Sequence, residues 1–239
     1  MQLGIEESRA EENFQRQQRF INDVSHELRT PLTIIRGYVD ILERYGAADP
    51  ELFQEAVTSI KNSAQNMQNL VENLLFLARA EQGHRALTKV PVDLDDLLIK
   101  FVADYNSPRV QIAKLTPCKI MADADFAKKM FAAFLDNALR YSPPDTVVQV
   151  ELSAAGDSAT LKFIDRGIGI SREDSEKIFD LFYRSDKART KNDSGESSVG
   201  LGLSIAKWIA DSHDIAIGVA SEPGKGTTFT LTIPVARHQ

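Results

Sequence analysis

Apolar side chains between Phe20 and Leu42 recur at helical spacing. Phe20, Val24, Leu28, Leu32, Ile35, Val39 and Leu42 follow one another at steps of three or four residues. On a helical period they draw one stripe of an amphipathic helix. Tyr45-Gly46-Ala47-Ala48-Asp49-Pro50 breaks the pattern. Asp49 is suited to cap a second helix, with Pro50 at its first position. Phe53, Val57, Ile60, Ala64, Met67, Val71, Leu74 and Ala78 then alternate steps of four and three, the coiled-coil period. Two such helices joined by a short break predict an antiparallel hairpin. A lone hairpin buries only one stripe per helix, so its simplest completion is a second copy, giving a dimeric four-helix bundle.

Beyond Gln82-Gly83-His84 the period changes. Runs of β-forming residues at Thr146–Leu152, Ala159–Asp165, Ile215–Ser221 and Thr227–Pro234 predict strands, with Ala155-Gly156-Asp157 as a hairpin turn between the first two. Helical stretches at Leu94–Tyr105, Asp123–Tyr141 and Val199–Ser212 lie among them. Strands mixed with helices predict an α/β sandwich. The boundary falls near residue 83. The expected organisation is therefore an entering helix over 1–19, a helical hairpin over 20–83 and an α/β domain over 84–239. Residues 1–20 are polar and read as the exposed start of a long helix continuing from a segment upstream. Ser185–Ser198 is polar and reads as a mobile loop of the kind that forms lids.

The net charge of −6 across 239 residues gives no basic footprint for general nucleic-acid binding. No apolar run approaches the roughly 20 residues that span a bilayer, and Glu6, Glu7, Glu11 and Glu12 crowd the N-terminus where a signal peptide would be apolar. The chain as given reads as soluble. A single cysteine, Cys118, excludes an internal disulfide and reads as a small buried apolar group.

Candidate chemistry starts inside the first helix, at Ser25-His26-Glu27-Leu28-Arg29-Thr30-Pro31-Leu32. His26 lies off the apolar stripe, so its imidazole is expected to face solvent. Pro31 cannot donate a hydrogen bond to the Glu27 carbonyl, a cost that tends to kink a helix. Glu27 is placed to accept a proton from the ring, leaving the other nitrogen as a nucleophile. Further runs follow in order: Phe134-Leu135-Asp136-Asn137-Ala138-Leu139-Arg140-Tyr141-Ser142, Asp165-Arg166-Gly167-Ile168-Gly169-Ile170, Ile178-Phe179-Asp180-Leu181-Phe182-Tyr183-Arg184, Gly200-Leu201-Gly202-Leu203-Ser204 and Gly224-Lys225-Gly226-Thr227. Glycines permit close backbone approach, and Gly200–Leu203 opens a helix whose N–H groups make a phosphate seat. No Walker-type glycine loop is present, nor the His-Arg-Asp and Asp-Phe-Gly pair of eukaryotic kinases.

Together these runs resemble the H-, N-, G1-, F- and G2-boxes of sensor histidine kinases, over roughly residues 14–235. The resemblance implies a Bergerat-type ATP-binding domain and a dimeric phosphoacceptor bundle. It implies that His26 carries a phosphoryl group taken from ATP, with Glu27 as general base. Asn137 would hold Mg²⁺ through its amide oxygen, an oxygen ligand of the kind this ion takes. Arg140 and Tyr141 would meet phosphates or ribose. Asp165 would accept from the adenine amino group, beside Gly167 and Gly169. Gly200, Leu201, Gly202, Leu203 and Thr227 would complete the nucleotide contacts, and Arg184 would place a cation at the γ-phosphate. Thr30 would aim water in dephosphorylating a partner response regulator. The full-length protein would be anchored in a membrane, leaving this part cytoplasmic. Two positions depart from the family: Ala133 stands where a second Asn is usual, and Ser198 where a Gly is common. A clamp-type ATPase of the same fold and a non-catalytic nucleotide-binding scaffold are the other classes compatible with the second half.

Overall fold

A computed structural model describes residues 2–46, 49–81, 87–185 and 200–236. The chain divides into two compact units, Met1–Ala78 and Arg79–Gln239. The boundary expected near residue 83 falls in a segment outside the described residues, as does Ser198 with most of the expected lid.

The first unit consists of α1 (Gln2–Tyr45) and most of α2 (Pro50–Glu81). Asp49 caps α2: its Oδ1 accepts from the Glu51 and Leu52 N–H groups at 3.0 and 3.1 Å. Across the connection, the Tyr38 hydroxyl donates to Glu55 Oε1 at 3.1 Å. α1 runs through Pro31, which is buried. Flanking hydroxyls bond back one turn, Thr33 to the Arg29 carbonyl at 2.8 Å and Thr30 to the His26 carbonyl at 3.5 Å.

The apolar stripes behave differently from the sequence expectation. On α2 the buried positions are Ala56, Ser63, Leu70, Phe76 and Ala80, beside the expected stripe instead of on it. Leu32, Val39, Phe53, Val57 and Val71 remain 38–48% exposed. A two-helix hairpin offers one interior line per helix, and on α2 Ala56, Ser63 and Leu70, seven residues apart, take that line. Five large members of the expected stripes are left facing water, an arrangement monomeric proteins rarely keep.

The second unit is a two-layer α/β sandwich. Its main sheet runs in the order β2 (Val110–Lys114), β4 (Val148–Ala155), β5 (Ser158–Ile164), β7 (Gly226–Pro234), β6 (Ala216–Glu222). β2 pairs with β4 in parallel and the other pairs are antiparallel. Period-two burial is clear: Val148, Val150 and Leu152, then Ala159, Leu161 and Phe163, then Phe229, Leu231 and Ile233 are buried. Register aligns them, with Phe163 opposite both Val150 and Phe229. Onto this face pack α3 (Leu94–Tyr105), α4 (Ala124–Tyr141) and α6 (Gly202–Ser212). The α4 ring of Phe134 sits 5.7 Å from Phe163 and 5.0 Å from Phe229 between centroids. A short α5 (Arg172–Ser175) follows β5, and β1 (Val90–Asp93) pairs with β3 (Lys119–Ala122) in a small separate sheet. β1, β2 and β3 were not foreseen. They are four or five residues long; β1 and β2 are mostly exposed, and the alternation of β3, with Ile120 and Ala122 buried, spans only four residues, too few to read as a strand. Cys118, expected buried, is half-buried beside β3.

Both ends of α4 are tied down. At its start, Asp123 Oδ1 accepts from the Asp125 and Phe126 N–H groups, and the Asp123 N–H donates to His213 Nε2 at 3.1 Å. Buried His213, just after α6, places Nδ1 2.8 Å from the Ile209 carbonyl. The two bonds fix one neutral tautomer, Nδ1–H donating and Nε2 accepting. His213→Leu removes that acceptor and leaves a backbone donor unsatisfied. Stability of the second unit should fall by about 1–3 kcal/mol, measured as a lower urea midpoint at neutral pH. An unchanged midpoint would show that the tie contributes nothing.

Candidate functional site

His26 is exposed on α1, Glu27 beside it is half-buried, and Thr30 is exposed one turn further on. The solvent-facing imidazole expected from the stripe is therefore observed. Pro31 behind them is buried.

In the second unit, the strand-to-loop turn after β5 is built around one carboxylate. Asp165 is buried, and its Oδ1 accepts two backbone N–H groups, from Gly167 at 2.7 Å and from Thr227 at 3.1 Å. The Asp165 N–H in turn donates to the Thr227 carbonyl at 2.9 Å. With Oδ1 engaged twice, Oδ2 is the oxygen left for another donor. Burial pushes the Asp165 carboxyl up from its ordinary range, and the two N–H groups, together with the hydroxyl of buried Ser142 beside it, act against that rise. Glycine is required twice here. A Cβ on Gly226 would lie 2.1 Å from the Asp165 carbonyl oxygen, and one on Gly169 would lie 2.1 Å from the Glu222 carbonyl oxygen. Both have positive φ, +110° and +67°, so any side chain would be strained as well as blocked.

Asp165 opens onto a cleft with about 640 Å³ of empty space, part of it open to solvent. Asn137 and Tyr141 reach it from the last turns of α4. Gly169, Leu203 and Thr227 reach it from three separate loops or helix starts, and Arg184 and Ser185 close another side. The Asn137 Nδ2 donates back to the Ala133 carbonyl at 2.7 Å. That bond fixes the amide orientation and presents Oδ1. A single neutral oxygen suits Mg²⁺, which takes few protein ligands and completes its shell with phosphates and waters. Among the described residues there is no cluster of three or more His, Cys, Asp or Glu able to hold a metal by itself.

Other expected contacts lie outside the lining. Leu201 is a core side chain, 1% exposed, because it anchors the start of α6. Gly202 faces Ala133, with a Cβ there 3.8 Å from the Ala133 Cβ. Gly167 is buried behind the Tyr141 carbonyl. The Gly200 carbonyl accepts from the Phe182 N–H at 3.2 Å, which ties the end of the polar loop to the aromatic run. Arg140 is half-buried within electrostatic reach of Tyr105, whose hydroxyl donates to Asp136. Burial and then Asp136 raise the Tyr105 phenol above its usual value. The expected lid lies almost wholly in 186–199, outside the described residues. Sequence reasoning missed the apolar walls, Ile168, Ile170, Ile178 and Phe229. Tyr183, from the run Ile178–Arg184, also lines the cleft, its hydroxyl 2.5 Å from Asp174 Oδ1.

Comparison with known proteins gives two family matches. Residues 16–83 match the His Kinase A (phospho-acceptor) domain, and residues 122–237 match the histidine kinase-, DNA gyrase B- and HSP90-like ATPase family. Among curated relatives, the sensor histidine kinase YkoH of Bacillus subtilis is 37% identical over 92% of this chain and 48% of its own length. The signal transduction histidine-protein kinase ArlS of Staphylococcus aureus is 32% identical over 94% of this chain and 50% of its own length. The chain thus spans about half the length of these relatives. Full-length ShkA, solved in complex with AMPPNP, aligns at 26% identity with a TM-score of 0.64, over 92% of this chain and 46% of that one. The Acinetobacter baumannii histidine kinase AdeS, at 24% identity and a TM-score of 0.67, covers 89% of this chain and 98% of its own and shares the fold.

The raised Asp165 carboxyl has a consequence for stability. The folded state favours its protonated form, so the stabilisation from the protonated acid is fully present below the usual aspartate pKa of about 3.9. It is lost as pH rises through the raised folded value. Asp165→Asn lacks that loss. Its unfolding free energy relative to the unsubstituted protein should increase as pH rises from about 4 through the raised value and then level off. Denaturant titrations across this pH series that show parallel curves would contradict it.

Proposed function

The chain belongs to the sensor histidine kinases, and from that membership we propose that it binds ATP with Mg²⁺ in the cleft of its second unit and transfers the γ-phosphoryl group to His26. The observation that supports this most is the convergence on one cleft of residues distant in sequence, Asn137, Tyr141, Asp165, Gly169, Leu203 and Thr227. The AMPPNP complex in which ShkA was solved is in keeping with this reading.

In this reading Asp165 Oδ2 accepts from the adenine amino group while Oδ1 stays with its two N–H donors. Asn137 Oδ1 holds Mg²⁺, which when bound offsets the charge on the phosphates. N–H groups at the start of α6 face the phosphate chain, and Arg184 meets the charge that builds on the γ-phosphoryl oxygens. An imidazole nitrogen of His26 attacks phosphorus in line; the N–P bond forms as the bond to the β-phosphate oxygen breaks and ADP leaves. Glu27 takes the proton lost by the other ring nitrogen. The phosphoryl group then passes to an aspartate carboxylate on a response regulator. Dimerisation would cover the stripe that Phe53, Val57 and Val71 expose. Segments beyond this chain would anchor the protein in a membrane; among the described residues no helix is long and apolar enough to cross one.

Labelled ATP tests the central step. The chain should acquire acid-labile, base-stable label, His26→Gln should acquire none, and both should bind nucleotide alike. Label persisting on His26→Gln would place the acceptor elsewhere.

Thr30 carries a second test. Its hydroxyl donates to the His26 carbonyl, and its lone pairs stay able to accept from a water beside a docked aspartyl phosphate. Thr30→Ala should keep autophosphorylation and lose most dephosphorylation of the cognate regulator. Phosphate release as fast as with the unsubstituted chain would make Thr30 a helix residue only.

A further inference from the structure

None of the sequence motifs includes Arg109, which precedes β2. Its guanidinium donates to four main-chain carbonyls, in the last turn of α4 and along the loop that leads from it to β4. Nε bonds Thr146 at 3.1 Å and Nη1 bonds Leu139 at 3.2 Å. Nη2 bonds Ser142 at 3.4 Å and Pro143 at 2.8 Å. The Arg109 carbonyl also accepts from the Val148 N–H at 2.8 Å. The Pro143 carbonyl is further held by the Thr146 N–H at 3.1 Å and by its hydroxyl at 2.7 Å.

Two physical effects favour this clamp. The last carbonyls of a helix lack intrahelical donors and carry partial negative charge, so a cation there is stabilising. A guanidinium is planar with five fixed donors, so one side chain can fix several acceptors in a set geometry, as an ammonium cannot. Its partners here are all carbonyls of the backbone, so what it fixes is the path of the chain.

That path leads to the cleft. Tyr141 lies between clamped Leu139 and Ser142 and lines the cleft. Its carbonyl accepts from the Ile168 N–H at 3.1 Å, and the Ile168 carbonyl accepts from the Gly224 N–H at 2.8 Å. Arg109 therefore sits at the head of a bonded series that ends at both glycine loops flanking Asp165. We propose that Arg109 is a positioning residue for nucleotide binding, setting the end of α4 so that Asn137, Tyr141 and the Asp165–Gly169 loop share one geometry. The proposal rests on the reading of the cleft as an ATP site.

The test titrates the full chain with fluorescent ADP and Mg²⁺ and measures urea unfolding alongside. Arg109→Ala should weaken ADP binding by about tenfold or more, since small displacements of positioning groups carry costs of that order. Arg109→Lys, which keeps the charge and loses the fork, should fall between. His213→Leu, at the opposite end of α4, should lower stability and keep ADP affinity. ADP affinity within about twofold of the unsubstituted chain in both Arg109 variants would overturn the proposal. So would an equal loss in His213→Leu, because the effect would then be general destabilisation. If Arg109→Ala does not fold, Arg109→Lys decides alone, and an unaltered affinity overturns the proposal. An unsubstituted chain that takes no ADP would sink the ATP reading and this proposal with it, whereas binding unaffected by Arg109 sinks only the proposal.

Discussion

One buried carboxylate oxygen organises the second unit's chemistry. Asp165 Oδ1 takes N–H groups from two loops more than fifty residues apart, and the backbone of Thr227 and Asp165 pair directly. A buried acid is costly unless donors meet it. Here the donors are backbone groups, so satisfying the charge also fixes the chain around it. The glycines follow from that arrangement. Gly226 must pass within contact of the Asp165 carbonyl, and only a residue without Cβ can do so. The price is a carboxyl held above its ordinary range.

The first unit follows a different logic. It encloses little apolar surface, and what it keeps outside is as informative as what it buries. Ala56, Ser63, Leu70 and Phe76 of α2 are buried, while Phe53, Val57 and Val71 face outward. Such a hairpin gains by acquiring a second apolar face. His26 and Thr30 are exposed on the same stretch of α1, where reagents from solvent can reach them.

Legibility in the sequence depended on the kind of signal. The long helices were readable because capping and period agree: Asp49 and Pro50 start α2 as expected. α3 occupies the expected Leu94–Tyr105, and α4 the expected span with Asp123 as its cap. β4, β5 and β7 were readable from alternation that burial matches. β1, β2 and β3 were not, being only four or five residues long. The polar residues of the cleft were visible as motifs, because close approach demands glycine and hydrogen bonding demands particular side chains. The apolar walls were not, since Ile168, Ile178 and Phe229 look like any core residue until the fold brings them together. Arg109 was invisible for a further reason: its partners are backbone carbonyls, which carry no residue signature.

The account depends on Asp165 meeting adenine through the oxygen its loop leaves over. In Asp165→Asn the two N–H donors hold the amide oxygen inward, which turns the Nδ2 donor toward the cleft. A donor then opposes the adenine amino group, itself a donor. Isothermal titration of the chain with Mg-ADP should show affinity reduced by about tenfold or more, the loss that a mismatched buried polar contact of about 1.4 kcal/mol brings, with the folded spectrum unchanged. Equal affinity in the Asn variant would contradict the account.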